Sequence, residues 1–112
     1  MSEQRRAELD RIAEGGGAGA AQARTALGEG PTRQRLGAAI RAFATHRGPA
    51  SSTCPSDAAR VVGGTEWRHL MDDAREIARE LARSGEVEIT QRGTVVDPDV
   101  DWRGPIRIRA RP

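Results

Sequence analysis

The sequence predicts an α+β chain in which helices come first and a small antiparallel sheet comes last, and three observations predict it. From Thr65 to Ser84, Trp67, Leu70, Met71, Ala74, Ile77, Ala78 and Leu81 recur at helical spacing and define one apolar face. After Gly85 the period falls to two: Val87 and Ile89 alternate with Glu86, Glu88 and Thr90, and Ile106, Ile108 and Ala110 alternate with Arg107, Arg109 and Arg111. Upstream of the long helix, Gly63-Gly64 separates it from a shorter one, so a short helix, a tight turn and a second helix follow one another. Three helices and a small sheet in this order make a winged helix-turn-helix.

Taken in order, residues 1–31 read as a flexible N-terminal segment. Ser2 to Glu14 is a charged stretch with Leu9 and Ile12 as its large apolar residues, and Gly15-Gly16-Gly17 ends any helix there. A Gly/Ala-rich spacer follows, with one weak helical turn expected around Ala20 to Leu27. The folded domain is expected over residues 32–112. Thr32 starts its first helix, which carries Leu36, Ala39, Ile40 and Phe43 at helical spacing and stops at Gly48-Pro49. In Thr53-Cys54-Pro55-Ser56-Asp57 the proline suits the first position of a helix and the aspartate its first turn, so a second helix is expected from Pro55 to Val62. Thr65 then caps the third helix, with Trp67 in the core. Beyond β-type alternation, Arg92-Gly93 suits a tight hairpin and Asp97 to Gly104 a loop.

Composition narrows the chemistry. At 112 residues one small domain is expected, with a core of Leu, Ile, Val and Ala because there are only two Trp, one Phe and no Tyr. The eighteen basic residues are all Arg, which removes a phosphate-loop lysine, a Schiff-base lysine and a lysine general base. A net charge of +2 permits nucleic-acid binding without requiring it. One Cys makes no internal disulfide, and no stretch approaches the ~18 apolar residues of a membrane span, so a cytoplasmic protein without membrane contact is expected.

Few residues are arranged for catalysis. Cys54 beside a helix start is the one credible nucleophile, yet a small packing residue is the better account of it. Asp97, Asp99 and Asp101 imitate the first half of a calcium loop, but Trp102 stands where glycine is needed and Ile108 where the bidentate glutamate should be. No enzyme, cofactor or metal is therefore expected. In a winged helix that binds DNA, the third helix enters the major groove and the wing touches the backbone. That makes Thr65, Arg68, Arg75 and Arg79 on the helix and Arg92 at the wing tip the nucleic-acid-binding candidates. Asp72, Asp73 and Glu76 oppose such contact unless paired with those arginines. In the last strand, Arg107 and Arg109 are expected to pair with Glu86 and Glu88, and Arg103 to anchor its loop.

The blocks Thr53-Cys54-Pro55-Ser56, Trp67-Arg68-x-Leu70-Met71 and Arg103-Gly104-Pro105-Ile106-Arg107 resemble a bacterial family catalogued only as a domain of unknown function. The resemblance runs from Thr32 to Arg109, implies a winged-helix fold, and brings no activity with it. The functional expectation is thus a non-enzymatic module that binds double-stranded DNA, with a protein-interaction domain free of nucleic acid as the alternative. A continuous positive face across the third helix and the wing favours the first, and an interrupted one the second. A monomer is expected, with weak homodimerisation through Leu9 and Ile12 as the variant.

Overall fold

A computed structural model of the chain describes residues 2–112, with side chains from residue 4. Its elements are α1 (Ser2–Gly15), α2 (Ala20–Leu27), α3 (Thr32–Arg47), α4 (Pro55–Gly63), the 3₁₀ segment η1 (Gly64–Leu70), α5 (Met71–Arg83), β1 (Val87–Gln91), β2 (Thr94–Val95) and β3 (Arg107–Ala110). The fold is α+β, as expected. No helix among the described residues is long and apolar enough to cross a membrane.

Helix α3 is the hub. Its Leu36, Ile40 and Phe43 are fully buried, and Ala38, Ala39, Ala42 and Ala44 between them are small enough for neighbours to approach from several sides. Helix α5 turns Ala74, Ile77, Ala78 and Leu81 into the same core, and the sheet adds Val87, Ile89, Ile106 and Ile108. The strand order is β2-β1-β3, all antiparallel, with Ile89 opposite Ile108 and Glu88 opposite Arg109. Arg92 and Gly93 both take positive φ, 52° and 81°, as a two-residue type I′ hairpin turn requires. On its other edge β3 is bridged by Thr53, which exchanges two backbone hydrogen bonds of 2.7 Å with Ile108.

One expectation is corrected. The segment expected to be one helix from Thr65 is two: a 3₁₀ stretch, with Glu66 at φ −98°, ψ 18°, and then α5. At about three residues per turn rather than 3.6, the 3₁₀ winding shifts Trp67 off the apolar line of α5. Trp67 is half-buried and packs against the edge of the core rather than inside it, and the buried tryptophan is Trp102, in the loop after β2.

Residues 1–31 were expected to be a flexible segment with a possible short helix, and their described part holds two helices. In the structure α1 buries Leu9 and Ile12 against the core, and α2 buries Ala20, Ala23 and Ala26 at three-residue spacing. These alanines bring α2 close to α3. At Gly19 (φ 85°) a Cβ would stand 3.2 Å from the Ala42 carbonyl oxygen, so glycine alone suits the junction. Ion pairs Arg5–Asp57 at 2.6 Å and Arg47–Glu8 at 2.7 Å fasten α1 to the rest.

Candidate nucleic-acid interface

The segment from α4 through η1 to α5 begins with an ordered start. Pro55 occupies the first position of α4, and the Asp57 carboxylate accepts the Cys54 backbone N–H at 3.2 Å. It also accepts the Thr53 hydroxyl at 2.6 Å and the guanidinium groups of Arg5 and Arg47. Burial by itself pushes this carboxyl up. The Thr53 and Arg5 hydrogen bonds, the Cys54 N–H and the charge of Arg47 outweigh it and hold the pKa at about 2. A polar crevice of about 320 Å³ opens here, lined by Arg5, Glu8, Arg47, Cys54, Asp57 and Arg107. Its acids and most of its arginines are spent on one another or on backbone, and the Cys54 sulfur lies 2.9 Å from the Ser56 hydroxyl.

The arginines expected to line one face of the third helix divide between two uses. Arg75 donates to the carbonyls of Trp102 and Gly104, both at 3.3 Å, and Arg79 to those of Pro98 and Val100. Both guanidinium groups also lie over the Trp102 ring, at 5.7 and 4.1 Å from its centroid. Arg83, one turn on, pairs with Asp99. The loop from Pro98 to Gly104 therefore runs antiparallel along α5, pinned by three arginines at four-residue spacing. Its Trp102–Gly104 end lies beside the N-terminal part of α5.

Thr65 and Arg68 sit apart from these, exposed on η1. The acids of α5 are largely paired: Asp73 and Glu80 both accept from Arg33 of α3, at 3.1 and 3.0 Å, and Glu76 lies 3.5 Å from Arg79. Asp72 has no ion-pair partner among the described residues. Positive charge across α5 is thus interrupted.

At the β1–β2 hairpin the picture differs. Gln91 donates to the carbonyls of Arg103 and Pro105 at 2.8 and 3.3 Å, which ties the base of the hairpin to the loop. The result is a cleft of about 440 Å³ lined by Gln91, Arg92, Arg103, Gly104, Pro105 and Arg107. Arg92 and Arg103 are exposed and make no ion pair among the described residues. Arg103 was expected to anchor the loop with its side chain; its backbone carbonyl does so instead. Arg107 bonds Ser52 rather than Glu86, whose carboxylate goes to Arg41, while Arg109 pairs with Glu88 at 3.0 Å as expected.

The sequence reading missed Arg103 as a residue of the cleft beside the hairpin and Arg60, which stacks on Trp67. The signal for Arg103 was present: it stands next to Gly104, whose φ of 82° marks a turn, and turns expose their neighbours. Arg60 carried no such signal, because only the η1 winding brings Trp67 to it.

No curated protein matches the chain. A family described as "Protein of unknown function (DUF3253)" matches residues 33–111, which takes in every element from α3 to β3 and leaves out α1 and α2, and the chain belongs to this family.

Proposed function

We propose that the protein is a non-enzymatic winged helix-turn-helix module that binds double-stranded DNA chiefly through backbone phosphates. The carrying observation is the cleft at the wing, where Arg92 and Arg103 stand exposed without ion-pair partners among the described residues; Arg107 also lines the cleft but is held by Ser52. The cleft adjoins the N-terminal part of α5, the end of a recognition helix that approaches base edges in helix-turn-helix proteins. Thr65 and Arg68 lie on the η1 segment that leads into the same end. Arg75 and Arg79 take no part in this reading, because the loop carbonyls already occupy them. Phosphate contact suits unpaired arginines: a guanidinium fork pairs with two phosphate oxygens and carries its charge at any working pH.

Binding of a mixed-sequence duplex, followed by fluorescence anisotropy at several salt concentrations, tests the reading. Association that weakens with salt is expected, and Arg92→Ala/Arg103→Ala should lower the slope of log K against log salt by about two. Absence of association at low salt overturns it. The interrupted charge of α5, with Asp72 unpaired among the described residues, favours a second reading in which the module binds a protein and no nucleic acid. That reading gains if the duplex fails to bind.

A further inference from the structure

Two turns of the same make border one cleft. Arg92-Gly93 closes the β1–β2 hairpin, Arg103-Gly104 ends the loop that leads into β3, and Arg92, Arg103 and Gly104 all line the cleft of about 440 Å³ beside the hairpin. Both glycines take positive φ, 81° and 82°, and a Cβ at either would meet nothing within 4 Å. Each turn is therefore a thin tip of backbone that carries one long side chain. The residues before the arginines add nothing to that width. Gln91 is turned back to the carbonyls of Arg103 and Pro105, at 2.8 and 3.3 Å, and Trp102 is buried. The Gln91 bonds also fasten one turn to the other, which holds both arginines to the same cleft. Arg92 and Arg103 are exposed, and neither guanidinium has an ion-pair or hydrogen-bond partner among the described residues.

An arginine side chain can only donate hydrogen bonds. In the minor groove of DNA, A·T pairs show only acceptors, adenine N3 and thymine O2, whereas G·C pairs add the donating N2 amino group of guanine. That groove is about 6 Å wide, against about 12 Å for the major groove. In A-tracts it narrows further and its negative potential rises. A thin tip with one donor-only cation fits such a groove, and a broader element does not. The placement agrees, because Arg75 of α5 donates to the Gly104 carbonyl at 3.3 Å and so sets the cleft beside the N-terminal part of α5. With that end of α5 in the major groove, the cleft meets the strand that bounds it, and the minor groove lies beyond.

We propose that Arg92 and Arg103 enter the minor groove on these paired turns, and that the protein prefers A·T-rich duplex whose minor groove is narrow. In the DNA-binding reading, on which this rests, phosphate contact then comes with a choice of sequence. An arginine in this groove stands between two rows of phosphates, so the salt dependence of that reading is kept.

The full chain, titrated into three labelled duplexes of equal length and followed by fluorescence anisotropy, provides the test. The duplexes are an A·T tract, a G·C-rich sequence, and the latter with inosine in place of every guanine. Inosine lacks the N2 amino group, so its pair with cytosine keeps a G·C-like major groove and shows an A·T-like minor groove. The A·T tract should bind about tenfold tighter than the G·C duplex, and the inosine duplex should bind closer to the A·T tract than to its guanine parent. Arg92→Lys/Arg103→Lys keeps both charges and replaces a flat, weakly hydrated guanidinium with a compact, strongly hydrated ammonium. This variant should keep the salt slope and lose most of the A·T preference. Equal affinity for A·T and G·C, or an inosine duplex bound no tighter than its guanine parent, overturns minor-groove entry and leaves the DNA reading standing. Undiminished A·T preference in the lysine variant overturns the assignment to these two arginines. Failure of all three duplexes to bind at low salt overturns the DNA reading and the groove preference with it. If the lysine variant does not fold, the three duplexes with the unmodified chain decide alone.

Discussion

Two segments close over the helical core from outside it, and they are fastened by opposite means. The α1 helix is held by side chains pairing with side chains: Arg5 with Asp57, Glu8 with Arg47, and Leu9 and Ile12 beneath. The loop after β2 is held by side chains pairing mainly with backbone: Arg75 and Arg79 reach four loop carbonyls, with Trp102 as the apolar anchor. A carbonyl does not titrate, and a hydrogen bond to it is screened less by salt than an attraction between two full charges. The first attachment should therefore respond to solution conditions more than the second, whose one ion pair is Arg83 with Asp99 among the described residues. The family match follows the same divide, since it includes the loop and omits α1 and α2.

The largest expected effect separates the two segments outright. Deleting residues 1–31 should destabilise the remainder by about 4 kcal/mol, from the lost burial of Leu9 and Ile12 at roughly 1.5–3 kcal/mol each. Chemical denaturation of residues 32–112 checks this. A midpoint equal to that of the full chain would show that α1 and α2 ride passively on the domain.

Next comes the anchor of the loop. Trp102→Ala should cost about 3–5 kcal/mol, as for a large aromatic removed from a core, whereas Trp67→Ala should cost about 1 kcal/mol because its ring is half-buried. Equal losses in the two variants, measured by denaturant midpoint, would contradict the division between a buried tryptophan and a half-buried one.

The smallest effect sharpens the contrast in titration. Asp57 falls from an ordinary value near 3.8 to about 2 in the folded chain. A lowered carboxyl stabilises the fold above its unfolded pKa and loses that contribution as pH falls through the folded one. Stability from this group should thus be complete above about pH 4 and fall away toward pH 2, by about 2 kcal/mol. Asp57→Asn should flatten that part of the pH profile. Hydrogen exchange at pH 3 should open α1 before the loop, and the reverse order would overturn the assignment of α1 to charge and the loop to carbonyls.

How much of this was legible in the sequence follows from the same contrast. Local signals carried the bounds of α3 between Thr32 and Gly48, the start of α4 at Pro55, the alternation of β1 and β3, and the Arg92-Gly93 hairpin. Each depends on residues within a few positions of one another. The docking of α1 depends on pairs 39 and 52 residues apart, Arg47 with Glu8 and Arg5 with Asp57, which no local pattern announces. Helix α2 packs through alanines, and their small apolar surface reads as spacer. The line of Arg68, Arg75 and Arg79 was visible, but its use was not, because backbone carbonyls have no sequence signature. Trp67 was misplaced for one reason: a change of winding at Gly63-Gly64 shifts the phase of everything between the break and α5.

The bridge between Thr53 and Ile108 constrains how the chain can reach this structure. Strand β3 comes after every other element in sequence, and it is an edge strand of the sheet, pairing with β1 on one side and bridged by Thr53 alone on the other. Closing that bridge joins positions 55 residues apart, as does the Arg107–Ser52 hydrogen bond beside it. Helical contacts among α3, α4 and α5 form over short loops and cost little closure entropy, but the sheet waits for its most distant partner. Folding should accordingly have a late step set by contact order, in which a largely helical intermediate holds Ile89 and Phe43 partly uncovered until β3 arrives. During synthesis this interval lasts until residues 107–110 have left the ribosome, and it is the period in which the domain is most open to aggregation.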